Sequence, residues 1–169
     1  MIGLLQGYVR VVDGVNYRIG RVVMYGIFVI MGILMWSSVS KTFFTPSLWT
    51  LEMAQFAMVA YYMLGGPYSI QMGSNVRMDL LYGEWSARRK AQVDAITVLF
   101  LIFYLGILLW GGIDSTLYSF KYGGERSPTA WRPYMWPIKC IMVFALVLML
   151  LQAISELAKD ILRLKGEQV

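Results

Sequence analysis

The chain contains no histidine and a single cysteine among its 169 residues. Without histidine it cannot by itself supply bis-histidine haem ligation, a histidine-ligated metal or a Ser-His-Asp triad. Cys140 lies inside an apolar run, so neither an internal disulfide nor a thiolate metal cluster can form. Gly123 and Gly124 lack the strand and the Lys-Ser/Thr pair of a phosphate loop. We therefore expect no enzymatic activity, no cofactor and no metal site.

Charged residues are also scarce. They make up 15% of the chain, whereas a soluble domain usually carries about 25%. Hydrophobic residues reach 58% and the mean hydropathy is +0.58, so much of the apolar surface must face lipid or other membrane helices. The net charge of +5 does not indicate nucleic-acid binding, because the basic residues lie at the ends of apolar runs. These features predict a single integral membrane domain, residues 1–169, whose surroundings are the lipid bilayer.

Four apolar runs predict transmembrane helices at about 22–40, 51–72, 91–113 and 136–154. A run of about 20 apolar residues spans the ~30 Å hydrocarbon core of a bilayer. Pro67, which follows two glycines, predicts a kink or a break in the second helix. Charges alternate with aromatic residues between the second and third runs, which predicts a short interfacial segment. A polar tail helix is expected at 155–169.

The distribution of basic residues predicts the orientation of the helices. Of the 15 lysines and arginines, ten lie in the N-terminal segment, the connection after the second run and the tail. The other five are Lys41, Lys121, Arg126, Arg132 and Lys139. Both termini are therefore predicted to be cytoplasmic. The fold class that follows is an all-α integral membrane protein with four transmembrane helices.

Two ionisable residues at the ends of apolar runs are candidate functional groups. Glu52 lies at the outer end of the second run, where a carboxylate at membrane depth is costly and suggests function. Its place beside Trp49, at a helix end, favours interfacial or structural pairing over proton or ion coupling. Lys139 lies about one turn into the last run, where its side chain can extend to the interface. A salt bridge from Lys139 to Glu52 or to Glu125 is the sharper alternative.

The stretch 123–139 combines charges, prolines and aromatic residues between the last two runs. Trp131 and its aromatic neighbours are typical of a membrane–water interface, and Pro137 suits the first turn of a helix. Such a helix-entry anchor accounts for the second half of the stretch. It does not account for Glu125 and Ser127. Nor does the charge bias explain the polar residues Asn75, Arg77 and Asp79 after the second run.

Two motifs resemble the small membrane subunit of TRAP (tripartite ATP-independent periplasmic) transporters. Gly73-Ser-Asn75-Val-Arg77-Met-Asp79 is similar to the family's G-x-H-V-R-V-D signature, with Asn75 in place of the common histidine. Glu125-Arg-Ser127-x-x-x-Trp131-x-Pro133, followed by Pro137 and Lys139, resembles the stretch before the family's last helix. The resemblance covers most of the chain, and Gln152 and Glu156 also fall where the family often has them.

The resemblance implies a non-catalytic subunit in the bacterial inner membrane. Its partners would be a large permease subunit and a periplasmic solute-binding protein. The large subunit of this family carries the substrate and sodium sites and moves as an elevator, importing organic acids or related solutes. The small subunit enlarges its immobile scaffold. The candidate partner-interface or structural residues are Glu52, Asn75, Arg77, Asp79, Glu125, Ser127, Trp131, Pro133 and Lys139.

Two other classes of function remain open from the sequence. The first is an autonomous four-helix proton-coupled exporter or channel that uses Glu52 as its coupling carboxylate. Small multidrug antiporters have four helices and one membrane glutamate, but they are shorter and lack a charged outer loop. The second is a membrane anchor for a redox enzyme, which the absence of histidine weakens because partners would have to hold every cofactor.

Overall fold

The computed structural model describes residues 2–73, 87–122 and 124–164. Within these residues the chain forms five helices and no β-strand, so the predicted all-α class is confirmed. The helices are α1 (Ile2–Met24), α2 (Gly26–Phe43), α3 (Thr50–Gln71), α4 (Ala87–Lys121) and α5 (Trp136–Leu164). The interfacial segment predicted after the second helix lies outside the described residues.

Three stretches of the described chain are long and apolar enough to cross a membrane: Leu5–Phe43, Ile96–Lys121 and Trp136–Leu162. Helix α3, predicted as a crossing at 51–72, has 22 residues and is not among these stretches. Glu52, Gln55, Gln71 and three tyrosines lower its apolar character. Composition alone therefore marks three membrane helices plus one further helix.

The first membrane stretch consists of α1 and α2, which meet at Tyr25. The Tyr25 amide bonds to the Val22 carbonyl at 3.2 Å, and the Phe28 amide bonds to the Tyr25 carbonyl at 3.1 Å. These i→i+3 bonds tighten the turn and interrupt the α-helix. The apolar pattern predicts no helix before residue 22. The structure instead continues the helix back to Ile2, with Val9, Val12, Asn16 and Gly20 buried on one face.

Helices α3 and α5 form the centre of the arrangement. Helix α3 packs against α1, α2 and α5, and α5 also packs against α1 and α4. A Cβ atom on Gly20 would lie 2.4 Å from the Tyr68 ring, and one on Gly66 would lie 2.3 Å from Met149 Cε. Glycine at these positions allows close helix contacts. Pro67 is buried inside α3, which continues past it to Gln71, so the proline does not break the helix.

Helices α4 and α5 extend beyond the ranges predicted from their apolar runs. Helix α4 has 35 residues and α5 has 29, against predictions of 91–113 and 136–154. At 1.5 Å per residue, α4 is roughly 52 Å long and exceeds the ~30 Å hydrocarbon core. The predicted tail helix is a direct continuation of α5 as far as Leu164. Charged residues therefore mark where these helices leave the apolar core, and not where they end.

Candidate functional site

The loop between α4 and α5, residues 124–135, closes on itself through its backbone. Ser127 donates its amide to the Pro133 carbonyl at 3.0 Å, and Met135 donates to the Glu125 carbonyl at 2.9 Å. These bonds flank an isolated bridge between residues 126 and 134. Gly124 has φ +105°, and a Cβ atom there would lie 2.7 Å from Tyr134 Cε1. The loop geometry therefore requires glycine at this position.

Glu125 is tied to both neighbouring helices. Lys139 Nζ on α5 pairs with Glu125 Oε2 and donates to Ser119 Oγ on α4 at 2.8 Å. Ser119, only 2% exposed, donates to Glu125 Oε2 at 2.8 Å. We call these three residues the Lys139 cluster. Hydrogen bonds from Lys139 and Ser119, reinforced by the lysine charge, hold the pKa of Glu125 below its usual range. The cluster thus fixes the start of the loop to the ends of two helices.

The remainder of the loop presents polar and aromatic groups outward. The Arg126 guanidinium lies 4.6 Å from the centroid of the Tyr134 ring and donates to its hydroxyl at 2.6 Å. Trp131 is 41% exposed. Arg132 has φ +52°, a left-handed conformation that non-glycine residues seldom adopt. The tip of the loop is therefore held in a defined shape with its tryptophan accessible.

The structure brings most of the predicted outer residues into this one loop. Glu125 and Lys139 meet through their side chains, and Ser127 and Pro133 meet through their backbones. Trp131 lies at the exposed tip. Of the two carboxylates expected as partners of Lys139, it is Glu125 that forms the ion pair. Ser119 is not predicted from the sequence, where its only signal is a hydroxyl near the end of a long apolar run.

Glu52 lies apart from the loop residues, in the first turn of α3. It is 7% exposed, and its Oε2 accepts no hydrogen bond from the described residues. The helix dipole stabilises a carboxylate at this position, but one of its two oxygens has no hydrogen-bond donor among the described residues.

The predicted residues Asn75, Arg77 and Asp79 lie outside the described residues.

Hydroxyl groups connect α2 to α3 near Glu52. Ser40 Oγ lies 3.0 Å from Ser47 Oγ, which lies 3.1 Å from Thr50 Oγ1. Thr50 Oγ1 donates to Ser37 Oγ at 3.1 Å. Within a membrane helix, serine hydroxyls such as those of Ser37 and Ser40 can bond to carbonyls of their own helix. They instead join two helices, as hydroxyls often do within membranes.

A second polar cluster joins α1 to α5; of its members, only Gln152 and Glu156 stand out in the sequence, through the family resemblance. Asn16 Nδ2 donates to Gln152 Oε1 at 2.6 Å, and Gln152 Nε2 donates to Asp13 Oδ1 at 2.9 Å. Ser155 Oγ donates to the same Asp13 oxygen at 3.1 Å. Gln152 and Ser155 are fully buried. We call this group, together with Glu156 and Lys159, the Asp13 cluster.

Lys159 forms ion pairs with both carboxylates of the Asp13 cluster. Its Nζ lies 2.7 Å from Asp13 Oδ2 and 2.7 Å from Glu156 Oε1. Gln71 of α3 adds a hydrogen bond from its Nε2 to the Asp13 carbonyl at 3.1 Å. The available signal was the spacing of the polar α5 residues 152, 155, 156 and 159, which places them on one helical face. Their partners on α1 can be identified only from the way that the two helices pack in the folded protein.

The two clusters have the chemistry of structural links between helices. In the described part of the chain, no group of three or more Cys, Asp or Glu side chains could hold a metal ion. The described chain is thus an all-helical membrane protein whose helices are joined by polar and ionic contacts. The family model "Tripartite ATP-independent periplasmic transporters, DctQ component" matches residues 30–163. The chain therefore belongs to this family, which confirms the resemblance seen in the sequence. No curated protein and no solved structure matches the chain.

Proposed function

We propose that this chain is the scaffold subunit of a sodium-coupled tripartite importer of organic acids or related solutes. It would sit in the bacterial inner membrane beside the large elevator-type permease subunit, which receives solute from a periplasmic binding protein. The observation that carries the proposal is that Lys139 and Lys159 are both paired with carboxylates from other segments. Such cross-links favour a rigid support and not a solute pathway.

Four crossings with both termini in the cytoplasm form part of this proposal. The contacts of α3 run in reverse order along α1 and α2: Thr50 meets Ser37, Tyr61 approaches Gly26, and Tyr68 meets Gly20. Helix α3 therefore follows the depth of the first membrane stretch in the opposite direction. This antiparallel path supports α3 as the fourth crossing despite its polar residues. The basic-residue distribution then favours an inner position for the Asp13 cluster and a periplasmic position for the 124–135 loop.

The scaffold role also requires an exposed apolar surface within the membrane, against which a helix of the partner can pack. Helix α4 packs along α5 and exposes large apolar residues elsewhere, among them Phe100, Phe103 and Trp110. The exposed Trp131 adds an aromatic group of the kind enriched at protein interfaces. We infer that α4 and the 124–135 loop provide the surfaces used in assembly.

Co-purification tests the proposed function directly. The tagged chain is expressed together with its large permease and extracted in a mild detergent. The expected result is a stable stoichiometric complex that imports solute in proteoliposomes only with a sodium gradient and the binding protein. Recovery of the tagged chain alone, from cells that contain a folded permease, would refute the scaffold proposal.

The buried Glu52 keeps one alternative function open, a proton-coupled exporter formed by this chain alone. Its unbonded Oε2 is the specific observation in favour. The chain is reconstituted alone and proton-coupled efflux is measured for wild type and Glu52→Gln. Efflux abolished by this substitution would support the exporter. Absence of flux, or flux indifferent to the substitution, would eliminate it.

A further inference from the structure

A groove of about 430 Å³ opens between α1 and α3. Gly20, Gly65 and Gly66 contribute no side chains to it, and Tyr61, Tyr62 and Tyr68 line its walls. Its volume falls within the roughly 300–1,000 Å³ typical of small-molecule sites. The groove lies against two membrane-depth helices and its walls are largely apolar. An occupant must therefore carry an apolar portion.

Arg21, which follows the lining residue Gly20 on α1, brings a positive charge beside the groove. The Arg21 guanidinium lies 5.4 Å from the centroid of the Tyr17 ring, whose own centroid is 6.0 Å from that of Tyr68. Arg21 makes no ion pair with any described carboxylate. The nearby acidic residue of α1, Asp13, is already paired with Lys159. A ligand with an anionic group would complement this charge.

The tyrosines supply further donors. Tyr61, Tyr62 and Tyr68 bring three phenolic hydroxyls to the walls of the groove. An arginine fork beside phenolic hydroxyls is well suited to a phosphate group. A phosphate next to an apolar groove is the chemistry of a phospholipid.

We propose that the groove between α1 and α3 binds one anionic phospholipid. The lipid phosphate meets Arg21, and one acyl chain lies over Gly65 and Gly66 between the tyrosine rings. The proposal uses the orientation given under the proposed function, which opens the groove toward the cytoplasmic leaflet. Anionic lipids are concentrated in that leaflet and attract basic side chains near its surface.

Two substitutions separate the apolar and the ionic parts of the site. A Cβ atom on Gly65 meets no atom within 4 Å, so Gly65→Leu fills the groove without a backbone collision. Arg21→Gln removes the charge and Arg21→Lys retains it. The matched controls are Gly111→Leu, at a second helical glycine with open space, and Arg18→Gln, at an exposed arginine of the same helix.

Native mass spectrometry of the full purified chain measures the binding. The protein is titrated with phosphatidylglycerol or with phosphatidylcholine of the same acyl chains. Wild type is expected to retain one phosphatidylglycerol in preference to phosphatidylcholine. Arg21→Gln should weaken phosphatidylglycerol binding about fivefold, the effect of one basic residue at an anionic surface. Arg21→Lys and both controls should bind like wild type, whereas Gly65→Leu should lose both lipids.

Equal binding of the two lipids by wild type would overturn the proposal, as would unchanged binding by Arg21→Gln. Circular dichroism and gel filtration check that each variant is folded, and the two Arg21 variants decide the question if Gly65→Leu aggregates. Recovery of the permease is measured in parallel. Loss of the permease from Gly65→Leu with lipid binding unchanged would assign the groove to a protein helix. Loss of lipid with the permease retained supports the lipid site, independently of the scaffold proposal.

Discussion

Asp13 of α1 and Lys159 of α5 form an ion pair, with 2.7 Å between Oδ2 and Nζ. Their side chains are 23% and 14% exposed, so solvent screens the pair only in part. The same lysine also binds Glu156, and the same aspartate accepts hydrogen bonds from Gln152 and Ser155. The pair is therefore the ionic part of the cluster that attaches α1 to the rest of the protein.

Asp13→Ala is expected to destabilise the protein. The substitution leaves Gln152 and Ser155 with an unused donor each, and it should lower the free energy of unfolding by about 2–3 kcal/mol. Thermal unfolding in detergent measures the effect, and Arg10→Ala, at an exposed position of α1, is the control. The double variant with Lys159→Ala should lose less than the sum of the single losses. Strict additivity would show that the ion pair contributes nothing.

Glu125→Ala is expected to reduce complex yield and transport without preventing membrane insertion. Without this carboxylate, the partly buried Lys139 and the buried Ser119 lose their common partner, and the loop loses its attachment to both helices. Permease recovery and solute uptake are compared with those of Lys121→Ala, an exposed basic residue at the end of α4. Wild-type values for Glu125→Ala would mean that the loop attachment has no role in assembly.

Trp131→Ala is expected to weaken assembly while lowering the stability of the isolated chain less than Trp136→Ala does, because Trp131 lies at the tip of the loop whereas Trp136 packs near Phe120. Trp136→Ala is the matched control. Trp136 stacks near Phe120 with 5.9 Å between ring centroids, so its loss should lower thermal stability. Both variants are measured for unfolding temperature and for permease recovery. Equal behaviour of the two tryptophans would argue against docking through the loop tip.

The ionisation of Glu125 predicts a defined pH dependence. Because Lys139 and Ser119 hold the pKa of Glu125 below the ordinary value of 4.5, folding favours the ionised carboxylate. Its stabilising contribution is fully present above that value and is lost as the pH falls through the lower pKa of the folded state. The difference in unfolding temperature between wild type and Glu125→Gln should thus be constant from about pH 8 to about pH 5 and shrink at more acid pH. A difference that grows on acidification would contradict the assignment.

Gly20→Ala is expected to lower stability by about 1–3 kcal/mol, because the added methyl group would lie 2.4 Å from the Tyr68 ring and force α1 and α3 apart. Gly14→Ala on the same helix meets no atom within 4 Å. It should leave stability unchanged or raise it by up to about 1 kcal/mol, through higher helix propensity. Denaturant titration in detergent compares the two, and similar effects would mean that the helices are not in close contact.

The sequence predicted the parts of the fold that depend on long apolar runs. Helices near 22–40, 91–113 and 136–154 follow from composition, and the structure contains a helix at each place. The family followed from short motifs, and the match to residues 30–163 confirms it. The sequence offered two candidate partners for Lys139, the carboxylates of Glu52 and Glu125. Choosing Glu125 required the folded loop, since no rule of helical spacing relates the two residues.

Helix α1 was missed because its charges obscure its buried face. Arg10, Asp13, Arg18 and Arg21 make the segment look mixed, whereas Val9, Val12, Asn16 and Gly20 recur at helical spacing and are buried. Polar residues on a buried face become favourable only when partners on α5 satisfy them. Those partners are distant in the chain, so local sequence patterns do not reveal them. The same limit applies to Ser37, whose partner Thr50 begins α3, and to Ser40, whose partner Ser47 lies in the α2–α3 turn.

The link between α1 and α5 also sets an order of events during synthesis. Asp13 and Asn16 emerge from the ribosome early, but Gln152, Ser155 and Lys159, which bond to them, emerge only after the other helices. Until then α1 carries unpaired polar groups on the face that is later buried. The contact of α1 with α3 can form earlier, but its polar contacts are completed only when α5 has been synthesised, and they distinguish a finished chain from one interrupted before α5.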